Sequence, residues 1–182
     1  MKSLLFTILI LLSTTGCVES MVYSTVADER GVGTITKDKL IENSILAYML
    51  QEKSSDILDV TVTSYEGDVF LVGEYETNSQ KDRLLASAKK VDGVKSVKSH
   101  LVKAVKNHAC GTTENLAITA EVKAKLIKDT DIWSTNVNVS TIQCQVVLWG
   151  TVGKAIEVSK SIIHAKSIDG VKSVKSFLKA KR

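Results

Sequence analysis

The octapeptide Asp-Gly-Val-Lys-Ser-Val-Lys-Ser stands twice in this chain, at residues 92–99 and 169–176, and the step from Asp92 to Asp169 is 77 residues. The same step lays Leu71-Val72-Gly73 on Leu148-Trp149-Gly150, and Val60-Thr61-Val62 on Val137-Asn138-Val139. Three separated segments that hold one offset without a gap identify two copies of one small module. A chain so divided builds two small cores rather than one medium core. Two similar modules without a cluster of catalytic groups point to binding rather than chemistry.

Within each copy the periodicity changes in one order. In the first, Ile41, Ile45, Tyr48 and Met49 keep helical spacing, and Val60, Val62 and Ser64 alternate as a half-buried strand does. Tyr65-Glu66-Gly67-Asp68 is a turn signal, with Gly67 able to take positive φ. Residues 69–72 are continuously apolar, as a central strand covered on both faces should be. A second helix over about residues 79–91 turns Leu84, Leu85 and Ala88 inward and stops at Gly93, before a last strand with Val97 and Leu101. The second copy repeats this with Ile118, Val122 and Leu126, then Val137 and Val139, then residues 146–149. Its second helix carries Ile156, Ile162, Ile163 and Ile168, and its last strand Val174 and Phe177. The predicted fold class is α+β, with two tandem αββαβ modules, each a small three-stranded sheet packed on two helices. The modules occupy residues 38–104 and 114–182, joined by a linker at 105–113.

The first residues read as an export signal. Lys2 supplies a short positive region, and residues 4–12 are an apolar run too short to cross a bilayer as a helix. Ser13-Thr14-Thr15-Gly16-Cys17 resembles the lipobox of bacterial lipoproteins. The resemblance implies cleavage after residue 16 and a Cys17 that carries diacylglycerol and an amide-linked, palmitate-type chain. At ~0.8 kcal/mol per buried CH₂, several such chains make an anchor rather than a transient contact. The alternative is an ordinary secretory signal with Cys17 incidental. Val18 follows, where the inner-membrane retention rule for such lipoproteins asks for Asp, so the outer membrane is implied. Residues 17–37 form a tether with little periodicity. Loss of Lys2 with the signal lowers the formal charge from +4 to +3. That mild basicity is compatible with an acidic membrane surface without demanding one. Export also removes the chain from cytoplasmic nucleic acid.

Val69-Phe70-Leu71-Val72-Gly73 and Gly93-Val94-Lys95-Ser96-Val97, with their partners Val146-Val147-Leu148-Trp149-Gly150 and Gly170-Val171-Lys172-Ser173-Val174, resemble the strand ends and closing strand of the BON domain. A lipobox, then Asp28, Arg30, Gly33 and Thr34 in an Asp-x-Arg-x-x-Gly-Thr segment, then two such domains, is similar to the dual-BON outer-membrane lipoproteins of the DolP type. The resemblance implies a non-enzymatic protein without a cofactor, facing the periplasm from the outer membrane. It implies binding of anionic phospholipid, chiefly through the first helix of the second domain. It also implies support of envelope integrity and presence at the division site. The residue matching that helix's initial Trp is Ala117, beside Leu116; a basic position one turn on is Glu121, and a second is kept as Lys123.

On the helix predicted at about residues 114–128, Ile118, Val122 and Leu126 are the core stripe, and Glu121, Lys125 and Lys128 mark a polar edge. Leu116, Ala120, Ala124 and Ile127, with Ala117, extend apolar surface onto a further face beside Lys123. Apolar side chains next to a lysine suit a headgroup boundary. The same face would also serve to pack on the first domain, whose helix has a matching surplus in Leu46, Ala47 and Leu50. The candidate partners are an anionic membrane surface or, in a rival reading as a periplasmic adaptor, an outer-membrane assembly or division protein.

Cys110 precedes the first helix of the second copy and Cys144 sits in its hairpin turn, where the first copy has Gly67. A helix of ~15 residues matches the length of a seven-residue strand, and the two run antiparallel, so these cysteines can meet. A periplasmic location permits a disulfide, here weighed against two free thiols. His108 with the two cysteines offers only three candidate metal ligands and no repeating spacing, which argues against a metal site.

Lys95, Lys98, Lys172 and Lys175 read as a solvated strand edge guarded against pairing, and Lys179, Lys181 and Arg182 as its continuation or a lipid-facing tail. Ser161 and His164 share a helix face without an acid or oxyanion loop, so a chance surface pair is expected rather than a nucleophile and base. Gly31-Val32-Gly33 lacks the third glycine of a dinucleotide loop. Trp149 is expected in the core, Trp133 as a cap or partner contact, and Gly73 and Gly150 at strand ends.

Overall fold

The structure is a computed structural model that describes residues 30–51, 60–106 and 108–181. The signal at residues 1–16, Cys17 and the tether as far as residue 29 lie outside the described residues. The first module runs α1 (Val32–Gln51), β1 (Val60–Tyr65), β2 (Asp68–Tyr75), α2 (Asn78–Lys90) and β3 (Ser96–Lys103). The second runs α3 (Thr112–Lys128), a 3-10 turn (Ser134–Asn136), β4 (Asn138–Ile142), β5 (Gln145–Val152), α4 (Ala155–Lys166) and β6 (Ser173–Ala180). The order αββαβ therefore occurs twice. Helix α1 begins at Val32, so the irregular tether expected through residue 37 ends earlier. The apolar pattern misses this start because the first buried position of α1 is a carboxylate, Asp38.

Each sheet has its middle strand antiparallel to one neighbour and parallel to the other, in the orders β1-β2-β3 and β4-β5-β6. The registers coincide under the repeat offset: Val62 faces Leu71 as Val139 faces Leu148, and Val69 faces Val97 as Val146 faces Val174. Alternation on the middle strands separates two kinds of core. Val69 and Leu71 turn toward Ile41, Ile45 and Leu84 on the helices of their own module, and Val146 and Leu148 toward Ile118, Val122 and Leu126. Phe70, Val72, Val147 and Trp149 turn the other way and meet in one shared cluster, flanked by Tyr65, Ile142 and Phe177. Both faces of β2 and β5 are thus covered, which accounts for their unbroken apolar runs.

The two sheets pack face to face. The Phe70 ring lies 6.1 Å from Trp149 and 6.1 Å from Phe177. At the rim, Gln143 Nε2 donates to Glu74 Oε1 (2.9 Å) and to the Lys103 carbonyl (2.8 Å), His100 Nε2 meets Gln145 Oε1 at 3.1 Å, and Lys179 pairs with Asp68. Packing through the helix surplus of Leu46, Leu50, Leu116 and Ile127 is therefore corrected: these four side chains are exposed, and the sheets join the modules instead. Flat sheet faces carrying Phe and Trp bury more apolar surface together than two narrow helix stripes can. The solvated-edge reading of the lysines is also corrected in part. Lys98 lies over the Phe70 ring at 5.3 Å and Lys175 over Phe177 at 5.5 Å, where a cation gains from the ring face. Tyr48, Ile156 and Ile163, expected on inward stripes, are exposed. Gly73 and Gly150 lie inside β2 and β5 rather than at their ends. Gly150 has φ +134°, and a Cβ there would stand 2.0 Å from the Asn136 carbonyl oxygen.

Candidate membrane-facing helix

Helix α3 is closed at its start by Glu114, whose Oε2 accepts the Gly111 N–H at 2.9 Å. Glu114 in the first turn and Lys125 and Lys128 in the last match the helix dipole. Lys125 Nζ also donates to the Ser167 carbonyl (3.3 Å) and hydroxyl (2.7 Å), tying the end of α3 to the end of α4. Ile118, Val122 and Leu126 are buried against the sheet. That orientation leaves Leu116, Ala117, Ala120, Lys123, Ala124 and Ile127 all exposed. Leu116, Ala120, Lys123 and Ile127 follow one another at helical spacing along a single stripe. Leu116 is 65% and Ile127 71% exposed, unusual for large aliphatic side chains of a helix whose opposite face fills a core.

The hairpin beneath the start of α3 shows how the two modules solve one problem differently. Both β-hairpins turn through two residues with positive φ, Glu66 (53°) and Gly67 (82°) in the first, Gln143 (48°) and Cys144 (60°) in the second. In the first module the buried Asp38 carboxylate accepts the Ser64 hydroxyl (2.7 Å) and the N–H groups of Glu66 (2.8 Å) and Gly67 (2.9 Å). In the second, the position 77 residues on is Asn115, whose Oδ1 accepts the Cys144 N–H at 3.0 Å. Cys110 and Cys144 are disulfide-bonded there, with Cα atoms 5.6 Å apart. The bridge fastens the linker to the hairpin. The role of Asp38 escapes hydropathy, because a carboxylate at the head of a helix ordinarily reads as solvent-facing; its alignment with Asn115 was the available signal.

The same substitution of partners recurs at α2 and α4. Gln80 Oε1 accepts the Thr77 N–H (2.7 Å), and Glu157, 77 residues on, accepts the Lys154 N–H (2.8 Å) with one oxygen and the Trp133 N–H (3.0 Å) with the other. The backbone of Trp133 is held in this way and its side chain is exposed, so it does not cap the core. Ser161 is fully buried, not on the surface, and its hydroxyl donates to the Glu157 carbonyl at 2.7 Å, away from His164. His164 has an acid partner after all, Asp129 Oδ2 at 2.8 Å. Hydrogen bonds from His164, the Asp131 N–H and Lys160 hold the Asp129 carboxyl down at about 2. The cluster ties the loop after α3 to α4. Among the described residues no group of three or more His, Cys, Asp or Glu is placed to hold a metal ion.

The family profile of the BON domain matches residues 37–105 and again residues 115–182. The chain belongs to the BON-domain family. It is 34% identical over 152 residues to osmotically-inducible protein Y of Escherichia coli K12, covering 82% of this chain and 76% of that protein. It is 30% identical over 150 residues to the outer membrane lipoprotein DolP of Haemophilus influenzae, covering 81% and 76%. A 21 kDa hemolysin of Actinobacillus pleuropneumoniae is 26% identical over 149 residues, with 81% and 76% covered. Both BON domains of this chain thus have the α+β fold that their sequence pattern predicts, and α3 opens the second.

Proposed function

We propose that this chain is a non-enzymatic envelope protein, anchored in the outer membrane by an acylated Cys17 and facing the periplasm. Its second BON domain docks on anionic phospholipid through Leu116, Ala117, Ala120, Lys123, Ala124 and Ile127, and the docked protein supports envelope integrity, including at the division site. One observation carries this reading: the domains meet through their sheets, and among the described residues the outward face of α3 is exposed. Similarity to a protein named as an outer membrane lipoprotein supports the anchor and the compartment.

The magnitudes fit a tethered contact. Seating Leu116 and Ile127 at the acyl boundary gains about 1.5–3 kcal/mol each, and Lys123 near an anionic surface adds about 1 kcal/mol. Those gains roughly match the cost of immobilising a free protein. An acyl anchor removes most of that cost by holding the helix at high effective concentration beside the bilayer. The test is sedimentation of the chain from residue 18 with vesicles that contain or lack phosphatidylglycerol, beside a Leu116→Asp, Ile127→Asp variant. Binding selective for phosphatidylglycerol, lost in a still-folded variant, is the expected result. Absence of binding by the parent chain refutes the reading.

A second observation favours the rival adaptor. Helix α1 also presents Leu40, Leu46 and Leu50 outward, a face suited to an envelope assembly or division protein. Capture of such a partner, abolished by Leu40→Asp with Leu50→Asp and insensitive to lipid, would give that reading the lead.

A further inference from the structure

Trp133 stands 57% exposed in the loop after α3, at the head of the 3-10 turn. It lines a groove of about 730 Å³ between that loop and the start of α4, a size that suits a small ligand. Both walls are fixed to one buried carboxylate. Glu157 accepts the Trp133 N–H at 3.0 Å with one oxygen and the Lys154 N–H at 2.8 Å with the other. The turn itself is closed by the Asn136 N–H on the Trp133 carbonyl (3.0 Å) and the Val137 N–H on the Ser134 carbonyl (3.1 Å). An aromatic side chain carried on so fixed a backbone loses little freedom when it meets a ligand.

The charges of the groove balance. Lys160 holds Asp131 at 2.6 Å, and the exposed Lys154 offsets Glu157, so the walls select neither an anion nor a cation. The remaining polar groups are the hydroxyls of Thr130, Ser134 and Thr135, none of which has a hydrogen-bond partner among the described residues. Each can donate and accept. Ile156, 55% exposed, widens the apolar floor beside Trp133. The groove thus joins an aromatic surface to a rim of neutral hydroxyls. A pyranose has the matching form, with a C–H face that stacks on an aromatic ring and hydroxyls around its edge. An acyl chain would cover the three hydroxyls without pairing them. An anionic headgroup would gain from Lys154 but meet the Asp131 carboxylate in the same wall.

We infer that this groove binds a neutral glycan. A pyranose ring stacks on Trp133, and its hydroxyls bond to Thr130, Ser134, Thr135 and the Lys154 ammonium. The site goes beyond membrane docking, because it follows the end of α3 and uses none of the residues assigned to the lipid contact.

The chain has two tryptophans, so the ¹⁵N-labelled protein from residue 18 gives two indole N–H signals. The probes are the tetramer of N-acetylglucosamine, the tetramer of glucose and vesicles containing phosphatidylglycerol. The Trp133 signal is expected to move saturably with at least one sugar, while Trp149, 4% exposed in the joint between sheets, stays. Trp133→Ala, followed through the Lys154 amide signal, should weaken sugar binding about tenfold, and Trp133→Phe should retain most of it. An unmoved Trp149 signal checks that both variants are folded. Leu116→Asp with Ile127→Asp should keep the sugar response whether or not the parent binds vesicles, so the groove and the docking face fail independently. A Trp133 signal that neither sugar moves, or that moves with vesicles alone, overturns the site. So does sugar binding that Trp133→Ala leaves unchanged.

Discussion

Asp38 organises the first domain from the start of its first helix. Its carboxylate takes three donors from the hairpin turn, two of them backbone N–H groups that the tight turn cannot pair within itself. Asp38→Ala leaves those buried donors unsatisfied and should cost about 3 kcal/mol. Asp38→Asn should cost less, because the second domain already works with Asn115 at the matching position. Urea unfolding of both variants checks the order; equal stability of Asp38→Ala and the parent would show that the turn holds by itself. These residues set the limit of what patterning reveals. The positions of Ile41, Ile45, Ile118 and Val122 follow from spacing alone, because burial of an aliphatic side chain is the default. Burial of Asp38, Glu42 and Glu157 depends on donors brought from elsewhere in the fold, and no local period encodes that.

Among the elements, the two β-hairpins have equal turns and different fastenings. The second carries a disulfide that closes a separation of 34 residues. In the chain-entropy account such a loop contributes about 3–4 kcal/mol. Cys110→Ser with Cys144→Ser should lose that amount in equilibrium unfolding, and reduction of the parent should reproduce the loss; an unchanged midpoint on reduction would contradict a structural bridge. The pairing was legible because helix and strand lengths match, so the strand's far end returns to the helix start. The extension of α1 back to Val32 was not, since helical hydrogen bonds close over polar residues without leaving an apolar stripe. In α3 the exposed set was readable as a surplus face, but its use was not. A surplus face is equally good for packing and for docking until its neighbour is known.

At the scale of the whole molecule, the joint between sheets sets both arrangement and pH response. Burial and the nearby charge of Lys175 lower the His100 pKa against a hydrogen bond to Gln145 that raises it. The folded state thus binds this proton less well than the unfolded chain. Stability is full above the ordinary imidazole value of 6.5 and falls as the pH drops through the lowered folded value. For Asp68, burial raises the pKa, but hydrogen bonds from Lys179 and Ser96 and the charges of Lys179 and Lys98 bring it below 3.8. Its contribution persists to lower pH and is lost only as the pH falls through its own folded value. Denaturation at about pH 7.5 and about pH 5 should therefore show a loss that His100→Gln removes and Asp68→Asn does not. A loss of the same size in His100→Gln would place the titration elsewhere.

The sequence by itself determined the repeat, the αββαβ order, the hairpin positions, the cysteine pair and the inward stripe of α3. Those features are local or repeat at one offset, and side-chain period alone specifies them. Only the tertiary structure decided what covers the second face of β2 and β5. An unbroken apolar run says that both faces are buried but not by what, and a helix, a membrane or another sheet would satisfy it equally. The meeting of Phe70 with Trp149 and Phe177 joins residues far apart in the chain. That one non-local choice leaves the outer face of α3 exposed.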